Sequence, residues 1–412
     1  MLRIVDAGDK RAIARLLARR GRGDRTFDRQ VRAIVDRVRA DGDPALNRFA
    51  RKFDGVEPPL EVTAAEMREQ AARVTPDVRR AIRQAAGNIA RVAFRQIPQH
   101  WDLNVGPGVS IEQRVEPIAR VGCYVPGGRF PLPSSLLMTA VPARVAGVPE
   151  IVVVCPRPEP VVMAAALEAR VTRFFRVGGA HAIAALAYGT ATIPRVDKIV
   201  GPGNKWVATA KSQVAADCAI DFYAGPTEIV IVAASGRPAW VAADMVAQSE
   251  HDPDARAIVI TWSRPFAMRV VRAVAAQAAG RGIVQRSLAA HGAIVVTRSA
   301  KEAIALANRI APEHLVVDRE SLTQQPLVAG AVFVGPYTAQ AAGDYATGSN
   351  HVLPTSGAAR CRGGLSASDF MRVMSVQRVT KKGLARLRPT IVSLARAEGL
   401  TAHAESIEVR LR

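Results

Sequence analysis

Apolar residues recur three and four positions apart through residues 27–55, FDRQVRAIVDRVRADGDPALNRFARKFDG, broken by Gly, Asp and Pro. That spacing predicts helices with one buried stripe. Residues 75–97, TPDVRRAIRQAAGNIARVAFRQI, repeat it behind an N-cap Thr75 and Pro76 at the first helical position. The N-terminal region to about residue 100 therefore reads as helical. Further on the pattern changes. PARVAGVPEIVVVCPRP is a helix end, a turn and a continuous apolar run, Ile151 to Val154, as in a strand buried on both faces. VTRFFRVGGAHAIAALAYG and VDKIVGPGNKWVATAKSQVA each read strand, glycine turn, helix, and AIDFYAGPTEIVIVAA ends in another buried strand.

The alternation returns in PAWVAADMVAQSEHDPDARAIVIT, in HGAIVVTRSAKEAIALANRIAPEHLVV and in the strand AGAVFVG. Strands alternating with helices imply parallel sheets with helical crossovers. The predicted fold is α/β: two tandem doubly wound, incomplete Rossmann-like units, a helical N-terminal region and a small C-terminal helical tail. The expected division is 1–122 plus 236–365 for the first unit, 123–235 for the second, and 366–412 for a tail that docks on something else. No internal repeat shows at the residue level.

Composition narrows the function. No apolar run is long enough for a transmembrane helix, and the first twenty residues carry charges through their apolar positions, unlike a secretory signal. Cys123, Cys155, Cys218 and Cys361 are far apart, which excludes a disulfide framework and a thiolate zinc site and fits a reducing cytoplasm. The net charge of +20 raises a nucleic-acid partner. Of 56 basic residues only eight are Lys, the Arg are spread along the chain, and no basic run is interleaved with aromatics. A solvated, Arg-rich surface accounts for that better than nucleic-acid binding.

The chemistry-bearing segments lie in the punctuation. A GxGxxG fingerprint, a phosphate-binding GxxxxGK[ST] loop and an HExxH helix are all missing. Cys123-Tyr124-Val125-Pro126-Gly127-Gly128 permits close approach of a ligand to backbone. Gly201-Pro202-Gly203-Asn204 opens a helix after a strand, a setting that suits anions. Gln248 and His251, three apart at a helix end, share a face and could ligate zinc. Glu313 and His314 place an acid beside an imidazole that titrates near neutrality. The polar stretch from Gly343 to Thr355 holds Asp344 and His351, and Glu398 to His403 lies near the C-terminus. Four of the seven histidines fall in these segments. Cys123, beside a candidate cofactor loop, is also a candidate thiolate nucleophile for an aldehyde.

Taken in order, PLPSSLLMTAVPARVAGV, GPGNKWVATAK, AGPTE, QSEHD, APEHL, GDYATGSNHVLPT and EGLTAH resemble the histidinol dehydrogenase family, over about residues 25–410. The resemblance implies a cytoplasmic, zinc-dependent, NAD-using oxidation of L-histidinol through L-histidinaldehyde to L-histidine. It implies Gln248, His251, Asp344 and His403 as zinc ligands, His314 as general base for the alcohol, and Glu313 as the residue that activates water. Thr227, His351 and Glu398 would meet the substrate together with those ligands and His314. Tyr124, His181 and Asn204 would contact NAD. The family is a homodimer whose C-terminal segment crosses to the partner. Three departures stand out: Thr227 for a usual Ser, His181 for a typical Gln, and Arg129-Phe130 after the glycine pair. They leave room for a related dehydrogenase of another polar alcohol, such as a sulfonated or phosphorylated diol.

Overall fold

The structure is a computed structural model that describes residues 2–18, 24–128, 130–223 and 225–412. Among the described residues the strands form three sheets. One sheet has the order β1 (Arg3–Asp6), β12 (Ala293–Val296), β11 (Arg256–Thr261), β10 (Glu228–Val232), β13 (His314–Val317), β14 (Ala331–Val334), and all its pairings are parallel. The other large sheet runs β2 (Glu61–Val62), β7 (Arg173–Phe175), β6 (Glu150–Val154), β5 (Arg120–Tyr124), β8 (Lys198–Val200), β9 (Ala219–Ile220). Only β2 is antiparallel to its neighbour there.

In both sheets the chain winds outward from one central strand, returns, and winds out on the other side. The reversal falls between β5 and β8 in one sheet and between β10 and β13 in the other. The doubly wound α/β expectation holds for both. Apolar runs form these strands because both faces are covered. Ile229 and Ile231 point into one core and Val230 and Val232 into the opposite one. Val152 and Val154 likewise face away from Val153. This is the two-residue period of a strand acting on a sheet with no solvent face.

The division of the chain differs from the expected one. β10, expected in the 123–235 unit, pairs with β11 and β13 of the other sheet. The N-terminal helices, expected with the first unit, cover the second. Arg25–Asp41, capped by Asp24, buries Val31, Val35 and Val38 against Val152, Val154 and Phe175. Pro76–Arg95 buries Ile82, Ala86 and Ile89 against Val121, Val153 and Phe174 on the opposite face. Its N-cap Thr75 makes no side-chain cap bond, so Pro76 supplies the start signal. Helical periodicity reveals a buried stripe but not which sheet receives it.

Strands also form where none was expected, Glu61–Val62 in the N-terminal region among them. Arg3–Asp6 adds an edge to the first sheet. The third sheet is antiparallel: β3 (Trp101–Gly106) and β4 (Val109–Pro117) pair as a hairpin, and β15 (Met371–Val379) lies on the far side of β4. The tail is therefore not purely helical. Cross-strand register puts Trp101, Leu103, Ile111, Val115, Val373 and Val379 on one face, and Glu112, Arg114, Glu116, Arg372 and Arg378 on the other. The charged face is laced by Arg378–Glu112 at 2.7 Å and Arg372–Glu116 at 3.5 Å. The apolar face is open: Trp101 is 43%, Leu103 52% and Val373 53% exposed. After β15 the helices Lys381–Ala397 and Thr401–Glu408 pack on each other through Val392, Ala395, Ala404 and Ile407.

No helix among the described residues is long and apolar enough to cross a membrane. Replacing Phe174, fully buried between the N-terminal helices and the second sheet, with Ala is expected to cost about 3–5 kcal/mol of stability, read from urea unfolding. A loss below about 1 kcal/mol would show that this layer is not part of the cooperative core.

Candidate active site

Parallel pairing of β10 with β13 sets Ile229 opposite His314. Thr227 and Glu313, just before the two strands, and Glu228, the first residue of β10, therefore meet at the amino ends of the sheet. Helix Pro238–Ser249 follows β10, runs back along it, and returns Gln248 to the same end. The cluster so formed lies opposite the carboxyl-end crevice where open α/β sheets usually bind ligands.

Glu228 holds both members of the expected proton-transfer pair. Its backbone N–H donates to Glu313 Oε2 at 2.9 Å, and its carbonyl accepts from His314 Nδ1 at 3.2 Å. A carbonyl can only accept, so Nδ1 carries the ring proton and Nε2 is left as the basic nitrogen. Gln340 Nε2 lies 3.3 Å from that nitrogen and donates to Asp344 Oδ2 at 2.7 Å. Gln340 and Asp344 are four apart on the helix Gln340–Tyr345. Asp344 Oδ1 is 3.9 Å from His314 Nε2. The Asp344 carbonyl accepts from His351 Nδ1 at 2.9 Å, which leaves His351 Nε2 as an acceptor too.

Thr227 links two of these groups. Its hydroxyl accepts from Gln248 Nε2 and donates to Glu313 Oε2, each at 2.6 Å. The Gln248 side chain is wholly buried, yet its Oε1 has no hydrogen-bond partner. A buried carbonyl oxygen left unpaired is costly. His251, one turn on and exposed, is close enough to act electrostatically on both Asp344 and His351.

Burial decides the protonation states. Desolvation pushes the Glu313 carboxyl up to about 8, against the pull of the Thr227 and Glu228 hydrogen bonds. It lowers the His314 imidazole, against the Asp344 charge, and takes His351 down to about 4. Both rings are neutral at pH 7. Asp344 is raised by burial against the opposing effect of His314. Glu228 rises to about 7, its carboxyl held by Ser356 N at 3.0 Å and by Arg256 at 3.8 Å.

The other expected residues lie elsewhere. Tyr124 ends β5 and Gly201 follows β8, so both flank the reversal point of the second sheet. Asn204 is exposed there and caps the next helix, accepting from Trp206 N and Val207 N. Gly201 has φ +112°, and a Cβ on it would meet Tyr124 O at 2.2 Å. Tyr124 itself is buried, its hydroxyl accepting from Gly179 N at 3.2 Å. His181 is also buried, with Nε2 2.9 Å from Asp54 Oδ2, and that carboxylate accepts from Gly178 N as well. Its side chain is thus occupied within the protein.

Glu398 and His403 are exposed on the C-terminal helical pair, and no hydrogen bond or ion pair joins either side chain to the cluster. Among the described residues no three His, Cys, Asp or Glu side chains converge as a metal site. Cys123 is buried and its thiol is pushed up to about 12, so it has none of the thiolate character a nucleophile needs. Arg129 lies outside the described residues.

The family model for histidinol dehydrogenase matches residues 17–411. The chain belongs to the histidinol dehydrogenase family. It is 44% identical to the histidinol dehydrogenase of Geobacter sulfurreducens, with 100% of this chain and 99% of that protein aligned. It is equally 44% identical to the Halobacterium salinarum enzyme, over 99% and 98% of the two chains. The crystal structure of histidinol dehydrogenase from Elizabethkingia anophelis superposes with a TM-score of 0.94 at 32% identity, covering 100% of this chain and 98% of that one. The segments that resembled the family in the sequence thus belong to a full-length match in sequence and fold.

Glu228 and Gln340 were not singled out from the sequence. Glu228 stands inside AGPTE, and Gln340 stands four residues before Asp344, where a helical register would have shown it. A raised carboxyl pKa has a stability consequence. Glu313 keeps its proton in the folded protein between its ordinary 4.5 and about 8, and the unfolded chain does not. Folding therefore loses stability as pH rises through that window, and the deficit is complete above it. In metal-free protein, Glu313→Gln is expected to gain on the parent in unfolding free energy as pH rises from about 5 to about 9. A constant difference across that range would show that burial does not hold the carboxyl neutral.

Proposed function

We propose that this protein oxidises L-histidinol to L-histidine through L-histidinaldehyde, using two NAD in turn and a zinc ion that holds the substrate. The observation that carries the reading is the orphaned Gln248 Oε1, wholly buried on a side chain that the Thr227 hydroxyl ties to Glu313. A buried amide oxygen with no partner is costly, and a cation such as zinc would satisfy it. Gln248, His251 and Asp344 would hold the metal together with His403. When bound, zinc supplies a positive charge that orients an imidazole- and amine-bearing alcohol and polarises its oxygen.

His314 accepts the alcohol proton at Nε2. Its Nδ1 proton is fixed on the Glu228 carbonyl, and burial keeps the ring neutral and ready. Proton loss at the oxygen lets the carbon release hydride, which NAD takes up as co-substrate. The second oxidation starts from hydrated aldehyde, so a water must be deprotonated as it adds. Glu313 is the base for that step and works as its ionised fraction grows towards pH 8. Thr227 orients the carboxylate and Gln248 through one hydroxyl, and its methyl group narrows the pocket beside it. His351, neutral and with Nε2 free to accept, suits a donor on the substrate.

Tyr124 and Asn204 mark the NAD crevice at the reversal point of the second sheet, the position at which such sheets bind dinucleotides. Gly201 lets the two strand ends approach without a Cβ between them. His181 serves there indirectly, by bracing the start of its helix against Asp54.

The homodimer completes the site. The open apolar face of the third sheet and the exposed Leu394, Leu400 and Val409 of the helical pair are surfaces a second subunit would cover. A partner's tail would then deliver His403 and Glu398.

Chelation should abolish NADH formation from histidinol, and zinc should restore it; turnover by the chelated protein would refute the metal's role. His314→Asn should slow alcohol oxidation by about two to four orders of magnitude. Glu313→Gln should spare that step and slow oxidation of added histidinaldehyde. Loss of the same step in both variants would overturn the assignment.

Mixing inactive His314→Asn and His403→Asn subunits should restore up to about a quarter of wild-type activity, because half of the mixed dimers' sites regain a full set. No recovery after refolding the mixture would mean that the tail serves its own chain.

A further inference from the structure

Lys211 and Asp221 are the most deeply buried ion pair in the second sheet's surroundings, with side chains 3% and 1% exposed. None of the chemistry above uses them. A buried pair of this kind contributes little net stability compared with apolar side chains of the same volume. Its value lies in what it orients.

Here the pair grips a single residue. Lys211 Nζ donates to the Gly201 carbonyl at 2.9 Å, and Asp221 Oδ2 accepts from the Gly201 N–H at 2.8 Å. Asp221 Oδ1 takes Lys211 Nζ and also Phe222 N. Both backbone groups of Gly201 are thus set by two charged side chains that also bind each other. Gly201 is the residue where β8 turns, in a left-handed conformation, against the end of β5. Three residues later Asn204 caps the helix Lys205–Val214, on which Lys211 sits. The bracket therefore closes strand, turn and helix into one unit.

A distant segment of the chain is tied to it as well. Arg362 donates to the Asp221 carbonyl and lies over the Phe222 ring at 4.9 Å. Six residues beyond Asp221 the chain arrives at Thr227. One acid anchors the turn beside the cofactor crevice and begins the crossing to the candidate catalytic cluster.

We propose that Lys211 and Asp221 are a positioning pair that presets the turn from Gly201 to Asn204 for NAD. The proposal rests on reading that turn as part of the cofactor's seat. A turn set in advance spends no binding energy on being ordered, so the pair acts on dinucleotide affinity and not on proton transfer.

The test is the double variant K211M/D221N, which removes both charges and leaves none buried alone. Its NAD KM should rise roughly tenfold or more, with kcat within about threefold and the histidinol KM within about twofold of wild type. NAD titration of the metal-loaded protein, followed by protein fluorescence, should weaken in parallel. An unchanged NAD KM in a folded double variant overturns the proposal, and so does a fall in kcat with both KM values unchanged. Should the double variant not fold, Lys211→Arg keeps the charge but not the fit, and the same rise in NAD KM is expected. Asn204→Ala separates the two layers of the argument. If it leaves the NAD KM unchanged, the reading of the turn as cofactor seat falls. If it raises the NAD KM and the double variant does not, the positioning role alone falls.

Discussion

The parallel pairing of β10 with β13 is the constraint on which the site depends. Because Ile229 registers with His314, the backbone of Glu228 lies where it can donate to Glu313 and accept from His314. One peptide segment thereby fixes the carboxyl, the ring tautomer and the nitrogen that takes the proton. A slip of one residue in that register would turn His314 to the other face of the sheet. Thr227, Gln248, Gln340 and Asp344 are all arranged around this pair, and none of them would face it without the strand pairing.

Burial gives the cluster its chemical character and its cost. The same burial that lowers the His314 imidazole also holds Glu313 protonated to about pH 8 and leaves Gln248 Oε1 unsatisfied. These are liabilities in an empty fold. In the proposed function a cation and a polar substrate would relieve each of them. The pattern is the usual one for functional sites, where perturbed groups gather that a merely stable core would avoid.

Two sheets of the same winding serve different ends. The second offers the carboxyl-end crevice between β5 and β8, with a glycine turn braced by a buried ion pair. The first gathers its cluster at the amino ends, to which a helix returns Gln248 and the long polar loop brings Asp344 and His351. The loop is anchored on the other unit as well, through Asn350 to the Met138 carbonyl at 2.6 Å. The proposed substrate and cofactor seats would thereby be built from different sheets and tied by shared loops.

Local pattern was enough for the alternation of strand and helix, the two doubly wound sheets, the lack of an ordinary dinucleotide fingerprint and the choice of candidate segments for the site. Those follow from local periodicity and from residue types that are costly to keep without a use. It also held Glu313 and His314 side by side. What it left open was long-range. The N-terminal helices cover the second sheet, β10 joins the first, and Met371–Val379 forms a strand because β4 is there to pair with it. Glu228 and Gln340 gain their importance only from contacts 86 and 26 residues away. His181, whose place in the resembling segments implied cofactor contact, has its Nε2 2.9 Å from Asp54, 127 residues earlier in the chain. Periodicity records that a residue is buried. Only the packed chain decides what it is buried against, because the partner comes from a distant segment whose approach no local pattern encodes.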